Sequence, residues 1–488
     1  MNPTPPSTEP GRLDRYFHVS ARGSDFPREV RGGLATFFAM AYIIVLNPLI
    51  VGTAPDMNGD ELGIARVAAT TALVGGVITI LTGILSRYPF AIAAGMGLNV
   101  IVAYTLAPQM TWADAMGLVV LEGIVLLVLV LTGFRTAVFR AVPPGLKTAI
   151  AVGLGMFLTL VGFVNAGFVR RVPDAAGTTV PVQLGDGGLA GWPILVFVVG
   201  LLVTIALIVR KVKGAMLIGI AVATAVAIAA ETFAHVGPSV GADGEPNPTG
   251  WSLTVPALPG SVSDLVAVPD FSLIGNFSLF GSFSNIGAIA VILLLFTLLL
   301  ADFFDTMGTM VGVGGQAGLT DDEGNLPAAR EVLVADSLGT IAGGAANASA
   351  NTLFAESAAG VGEGARTGIA PVVTGALFLV ATLFSPLVEL VPFEAATPVL
   401  IIVGFMMMTQ ITKIDFSDYA IGIPAFLTIA MMPFTYSIAN GIGIGFISFA
   451  FIKLVQGRPR DVHPLMWLVA AAFAVHFAIG PIETLLGV

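Results

Sequence analysis

A chain of 488 residues that is 56% hydrophobic and only 11% charged, with a mean hydropathy of +0.93, has too few charges to coat a soluble globule and must be solvated by lipid. With no cysteine, structural disulfides, iron–sulfur clusters and thiolate metal sites are excluded, and the four histidines are scattered without the spacing of a metal centre. A formal net charge of -10, with no Lys/Arg run, repels nucleic acid.

The opening stretch is Pro-rich, then charged (Arg12, Asp14, Arg15, Arg22, Arg28, Arg31). It lacks the apolar core and cleavage site of a signal peptide and reads as a cytoplasmic tail over 1–31. A spanning helix needs about 20 mainly apolar residues, and the first such run is uncharged from Gly32 to Pro55. Further spans are predicted near 68–86, 90–107, 114–133, 146–166, 192–210 and 213–233. A polar, Gly/Pro-rich extracytoplasmic linker over 234–285 then halves the chain. The second half gives 286–304, 329–346, 353–364, 368–390, 396–411, 418–436 and 438–456. One surplus apolar segment, 464–485, could span the membrane or lie on it.

With a cytoplasmic N-terminus and alternating spans, all of the 21 Lys and Arg except Arg66, Arg170 and Arg171 fall inside, as the positive-inside rule requires. Fourteen spans divided seven and seven place the halves in opposite orientation, the inverted repeat of many secondary transporters. Three weak internal similarities run in the same order: PFAIAAGMG (89–97) with LFAESAAGV (353–361), AVGLGMFLT (151–159) with IVGFMMMT (402–409), and VTIAL with GAMLIGIA (203–221) against LTIAM with GIGIGFIS (427–448).

An ionisable residue in a membrane costs about 2.5 kcal/mol upward at the bilayer centre, so each needs a reason. In LLADFFDTMGTM (299–310) an uncharged run ends in Asp302 and Asp305, three apart on one helical face, with Thr306 and Thr309 nearby. They either mark the helix end at the cytoplasmic surface or sit inside the membrane. The second place is NASANTLFAESAAGVGEGARTG (347–368), where Glu356 lies amid small residues after an Asn-rich approach. That pattern describes a broken span, extended backbone followed by a half-helix. Its counterpart is RYPFAIAAGMGLN (87–99), interrupted by Pro89, Gly95 and Gly97. Small-residue helix packing would explain the glycines but not Glu356.

Asn99 is either a helix–helix hydrogen-bond partner or a ligand contact. Glu363 and Arg366 read as a pair near the cytoplasmic loop. Glu122 is a further internal carboxylate in the fourth span, and Asn47–Pro48 read as a kink. With no Lys or Arg close in sequence inside the membrane, Asp305 and Glu356 are suited to gaining and losing protons, and they complement a flat heterocycle with N–H donors on its edge. Phe90, Phe304 and Phe354 lie close by in sequence and could stack on such a ring, or simply pack.

The segments FPREVRGGLATFFAMAYIIVLNPLIV (26–51), GMGLN (95–99), DFFDTMGT (302–309), FAESAAGVGEGARTG (354–368) and IPAFLTIAMMPFTYSIANGIGIGFIS (423–448) resemble the AzgA-like adenine/guanine/hypoxanthine permeases, a branch of the xanthine/uracil permease superfamily. The resemblance spans nearly the whole chain. It implies an all-α membrane protein of the uracil-permease fold, with a core domain (32–133, spans 1 to 4, and 286–390, spans 8 to 11) and a gate domain (146–233, spans 5 to 7, and 394–456, spans 12 to 14). Substrate would lie between them, beside short strands in spans 3 and 10.

By the same resemblance, Asp305 and Glu356 match the carboxylates that bind the base, and they are the residues assigned to proton coupling. Asn99 matches the span-3 Asn of the purine branch, while Ala355 and Phe90 fall where relatives use backbone groups. Phe354 joins them as a substrate-binding aromatic, with Asp302, Thr306 and Thr309 as supports. The implied activity is proton-coupled uptake of purine bases across the cytoplasmic membrane by an elevator-like shift, without cofactor or metal, in a chain compatible with homodimers. One departure is Ile421, where many relatives carry an acid before IPAF.

The alternatives are a carrier of the same fold for xanthine, uracil or a small anion, and, from other classes, a membrane enzyme or a channel. The enzyme lacks a nucleophile–base pair. The channel lacks a repeated filter motif or charged ring.

Overall fold

In lipid every backbone N–H and C=O must be satisfied within the protein, and a helix does so within one segment, so the uncharged runs fold as helices. The computed structural model describes residues 11–132, 142–170, 183–184, 189–240, 247–252, 254–261, 265–319, 326–327 and 329–486. Among these residues, eight helical segments are long and apolar enough to cross a membrane: Phe26–Val51, Ile64–Ser86, Trp112–Thr132, Pro144–Asn165, Trp192–Val209, Ala215–Ala234, Ile369–Leu390 and Phe393–Lys413. Shorter apolar helices cover Ala288–Phe303, Tyr419–Phe434, Asn440–Val455 and Pro464–Ala478. The chain is a helical, multi-pass membrane protein.

The first helix begins at Phe26, ahead of the uncharged run, because Asp25 caps it by accepting the Arg28 N–H at 2.9 Å. It breaks at Ala41–Tyr42 and resumes over Ile43–Val51. The residues before it are folded rather than a loose lead-in. Tyr16 Oη donates to Ile84 O at 3.0 Å, and the Arg22 guanidinium lies 4.6 Å above the Tyr88 ring.

The helices sort into two packing groups. Helices Phe26–Met40, Ile64–Ser86, Trp112–Thr132, Ala329–Ala345 and Ile369–Ala381 pack chiefly among themselves, and so do Pro144–Asn165, Trp192–Val209, Ala215–Ala234, Pro398–Met408, Tyr419–Phe434 and Ile438–Val455. Each group contains a crossing at which two glycines face each other. A Cβ on Gly76 would stand 2.9 Å from Gly375 O, and one on Gly155 2.7 Å from Gly404 O, so only glycine allows the backbones to approach this closely. Helix Ala288–Gln316 runs without a break through Asp302 and Asp305, past the expected end near 304, and touches members of both groups.

Two three-residue strands, β1 (Ile92–Ala94) and β2 (Asn351–Leu353), pair antiparallel with Ala93 opposite Thr352. Each leads into a short helix, Met96–Ile101 and Ser357–Gly362. The approach to β2 is held by its polar side chains. Asn347 and Ser349 take left-handed backbone angles, φ 57 and 66, and the Asn347 amide donates to Leu273 O at 2.8 Å and Asn276 O at 3.0 Å. The described parts of the linker also dock on helices, where Trp251 Nε1 donates to Glu231 Oε2 at 2.8 Å and Ser252 Oγ to Glu394 Oε1 at 2.8 Å. The C-terminal helix Pro464–Leu486 packs on Ile438–Val455 through buried Phe473.

Candidate functional site

The β1–β2 pair interrupts two helical crossings, and interrupted backbone is tolerated at membrane depth only where protein or water satisfies it. Here the segments satisfy each other. Gly95 N–H donates to Ala350 O at 2.9 Å, Phe354 N–H to Ala91 O at 3.0 Å, and Ala91 N–H to Ser357 Oγ at 3.0 Å. The chain is therefore fixed up to Phe354, and Glu356 follows at the cap of helix Ser357–Gly362.

Glu356 is half-buried beside exposed Ala355, and its Oε1 accepts the Tyr42 hydroxyl at 2.7 Å. Tyr42 sits in the break of the first helix and is itself buried. Its ring centroid is 6.5 Å from that of buried Phe354. Asp305, half-buried on helix Ala288–Gln316, faces Glu356 and Asp302 electrostatically. Two carboxylates from helices far apart in sequence thus converge where the interrupted span opens.

Asp302 has different partners from Asp305, although the two are one turn apart. It is fully buried and accepts from Thr340 at 3.0 Å and Thr306 at 3.2 Å. The Thr306 hydroxyl also lies 2.9 Å from Asp336 Oδ1 and 2.6 Å from Thr352 Oγ, and Leu353 N–H donates to Asp336 at 3.2 Å. Asp302 and Thr306 therefore brace β2 from behind. Thr309 is buried.

Asn99 is fully buried and donates to Asn47 Oδ1 at 3.1 Å, while Asn47 donates to Thr71 Oγ1 at 2.8 Å and Ala348 O at 3.2 Å. Asn47 is thus a hydrogen-bond hub joining the first helix to the approach of β2, rather than only a kink. Phe90 is fully buried, 5.9 Å from the Tyr88 ring centroid. Its ring serves packing, which leaves only its backbone for a ligand. The side chain of Phe304 lies outside the described residues.

The expected Glu363–Arg366 pair is not formed. Glu363 pairs with Arg31 at 3.2 Å and with Lys213, whereas the Arg366 guanidinium donates to the Val361 and Ala365 carbonyls at 2.8 and 2.7 Å. Carbonyls left free where helix Ser357–Gly362 ends capture the guanidinium first. Ile421 packs with Ala149, Val152 and Ile429.

Sequence reasoning missed Tyr42 and Asp336. Asp336 carried a signal, being the sole charged residue between Glu331 and Glu356. Tyr42 carried none beyond a hydroxyl inside an apolar run, since its partner is 314 positions away. Among the described residues, no three or more His, Cys, Asp or Glu are grouped to hold a metal ion.

The chain is similar over most of its length to bacterial permeases. It is 36% identical to the guanine/hypoxanthine permease PbuG of Bacillus subtilis over 95% of this chain and 99% of that protein, and 32% identical to the adenine permease AdeQ of Escherichia coli over 96% and 97%. In fold it is similar to the transmembrane domain of a cyanobacterial bicarbonate transporter, BicA, with a TM-score of 0.59 at 12% identity over 85% of this chain and 97% of that one. The murine anion transporter Slc26a9 gives 0.57 at 11% identity over 93% and 74%. The xanthine/uracil permease profile, described as "Permease family", matches residues 28–444, and the chain belongs to that family.

Proposed function

We propose that this permease carries neutral purine bases of the adenine, guanine and hypoxanthine class inward across the cytoplasmic membrane together with protons. The observation that carries the reading is the convergence of Asp305 and Glu356 at the interrupted span, with Tyr42 bonded to Glu356. Two acceptor carboxylates suit a ring whose edge presents N–H donors, and Phe354 stands beside them with an aromatic face. The full-length similarity to permeases named for guanine, hypoxanthine and adenine supports the same substrate class. Asn99 and the backbone at Phe90 and Ala355 complete the base site in this reading, with Asp302, Thr306 and Thr309 as supports behind it.

In this reading the chain divides into a core, 32–133 with 286–390, and a gate, 146–233 with 394–456, a division that the preference of the helices for partners within their own group supports. Fourteen spans in two inverted sevens, a cytoplasmic N-terminus and a rigid-body shift of core against gate complete the reading. The glycine crossings within each group favour motion between groups over motion inside them.

The test is uptake of labelled hypoxanthine by cells lacking their own purine permeases, challenged with adenine, guanine, xanthine and uracil. Competition by adenine or guanine and none by uracil is the expected result. Competition by uracil alone, or uptake of bicarbonate in place of hypoxanthine, would overturn it.

A further inference from the structure

Helix Ser357–Gly362 carries a carboxylate at each end. Glu356 is its N-cap and Glu363 its C-cap, about two turns and 10 Å apart along the axis. The half-helix packs on Phe26–Met40 in the first packing group, and Arg31 of that helix pairs with Glu363 at 3.2 Å. Lys213 pairs with the same carboxylate from the second group. It precedes Gly214, the left-handed N-cap of Ala215–Ala234 with φ 71, and a Cβ on Gly214 would stand 3.1 Å from Phe38 O. The corner that carries Lys213 therefore rests against the first helix, and Glu363 meets one cation from each group.

The other half-helix has a matching arrangement. Met96–Ile101 follows β1, continues as Val102–Leu106 and packs on Ile43–Val51. Near its far end Tyr104 Oη accepts the Asn165 amide at 3.2 Å, and Asn165 is the last residue of helix Pro144–Asn165 in the second group. Because β1 and β2 run antiparallel, the chain leaves the strand pair at opposite ends. Each half-helix thus finishes on a side chain of the other group.

A shift of one group against the other carries these partners apart. The Lys213–Glu363 pair is built to separate: the Lys213 side chain is 53% exposed and that of Glu363 23% exposed, so water takes over both charges as they part, and a pair of this kind adds little to stability. We propose that Lys213 and Glu363 form a latch that is closed in this structure and opens in every transport cycle, tying the position of the gate to the half-helix that carries Glu356. Arg31 stays with Glu363 throughout, so the carboxylate keeps a cation when Lys213 leaves. The proposal rests on the reading of a core-against-gate shift above.

The chain has no cysteine, so introduced pairs can be bridged selectively. In membrane vesicles, Lys213→Cys with Glu363→Cys is joined by a bis-methanethiosulfonate reagent whose spacer restores the length lost with the two side chains. Bridging should cut hypoxanthine uptake about tenfold or more, because a carrier held in one conformer cannot turn over, and reduction should restore it. The same reagent on either single variant, or bridging Arg31→Cys with Glu363→Cys inside one group, should leave uptake unchanged. Uptake that survives the Lys213–Glu363 bridge would overturn the latch, and so would equal arrest by the Arg31–Glu363 bridge, which would assign the effect to Glu363 alone. Tyr104→Cys with Asn165→Cys separates the latch from the reading beneath it. Arrest by that bridge with none by the Lys213–Glu363 bridge removes the latch and leaves the shift standing, whereas arrest by neither removes the shift itself. Where the unbridged double variant is inactive, Lys213→Cys with Arg31→Cys, which spares Glu363, decides by the same criteria.

Discussion

The hydroxyl of Tyr42 donates a 2.7 Å hydrogen bond to Oε1 of Glu356, joining the break in the first helix to the cap of a half-helix 314 residues away. A hydrogen bond to a carboxylate is worth about 1.5 to 3 kcal/mol, and this one orients the acid that the proposed base would meet. Tyr42→Phe should therefore lower kcat/KM for hypoxanthine by about 10- to 100-fold while the protein still reaches the membrane. Wild-type uptake by this variant would show that Tyr42 only fills space.

Asn47 ties three segments, bonding to Asn99, Thr71 and Ala348 O. Asn47→Ala leaves these buried groups unpaired, at about 1 to 3 kcal/mol. A thermal melt of detergent-purified protein should show a clear fall in midpoint. An unchanged melt would mean that water replaces the amide.

The crossing of Ile64–Ser86 and Ile369–Ala381 leaves no room beside Gly375, where a Cβ would come 2.5 Å from Gly76 O. Gly375→Val pushes a branched side chain against backbone, and overpacking of this kind costs about 1 to 3 kcal/mol or more. Size-exclusion profiles should show aggregated or absent protein. A monodisperse peak at wild-type yield would contradict the close crossing.

Glu363 meets Arg31 from the first helix and Lys213 from the start of Ala215–Ala234. Both cations are largely exposed and Glu363 is half-buried, and pairs at such a surface contribute about 0 to 1 kcal/mol. Lys213→Ala should leave the melting midpoint nearly unchanged at physiological salt. A large fall would show that the pair is shielded in the membrane protein.

Much of this arrangement was legible in the sequence because lipid leaves few options: long uncharged runs become helices, and acids inside them stand out. Asp305 and Glu356 were visible for that reason. Asp336 was equally alone in its run, yet its importance depends on Thr306 and Thr352 reaching it from other segments. The similarity of 89–97 to 353–361 found the two interrupted segments but not their register. A repeat gives equivalent positions in the two halves and says nothing of which residues face each other; β1 and β2 pair over Ile92–Ala94 and Asn351–Leu353. Gly/Ala-rich stretches slide past each other at little cost in similarity, while hydrogen-bond geometry permits one register. The fold of residues 11–22 escaped notice because it depends on single contacts such as Arg22 over Tyr88, which no periodicity announces.

The most direct measurement is initial-rate uptake of labelled hypoxanthine by wild type, Asp305→Asn and Glu356→Gln at equal membrane abundance. Both variants keep the side-chain shape and remove the charge, so both should bring uptake to background. Uptake at the wild-type rate by both would contradict a base site built on these two carboxylates.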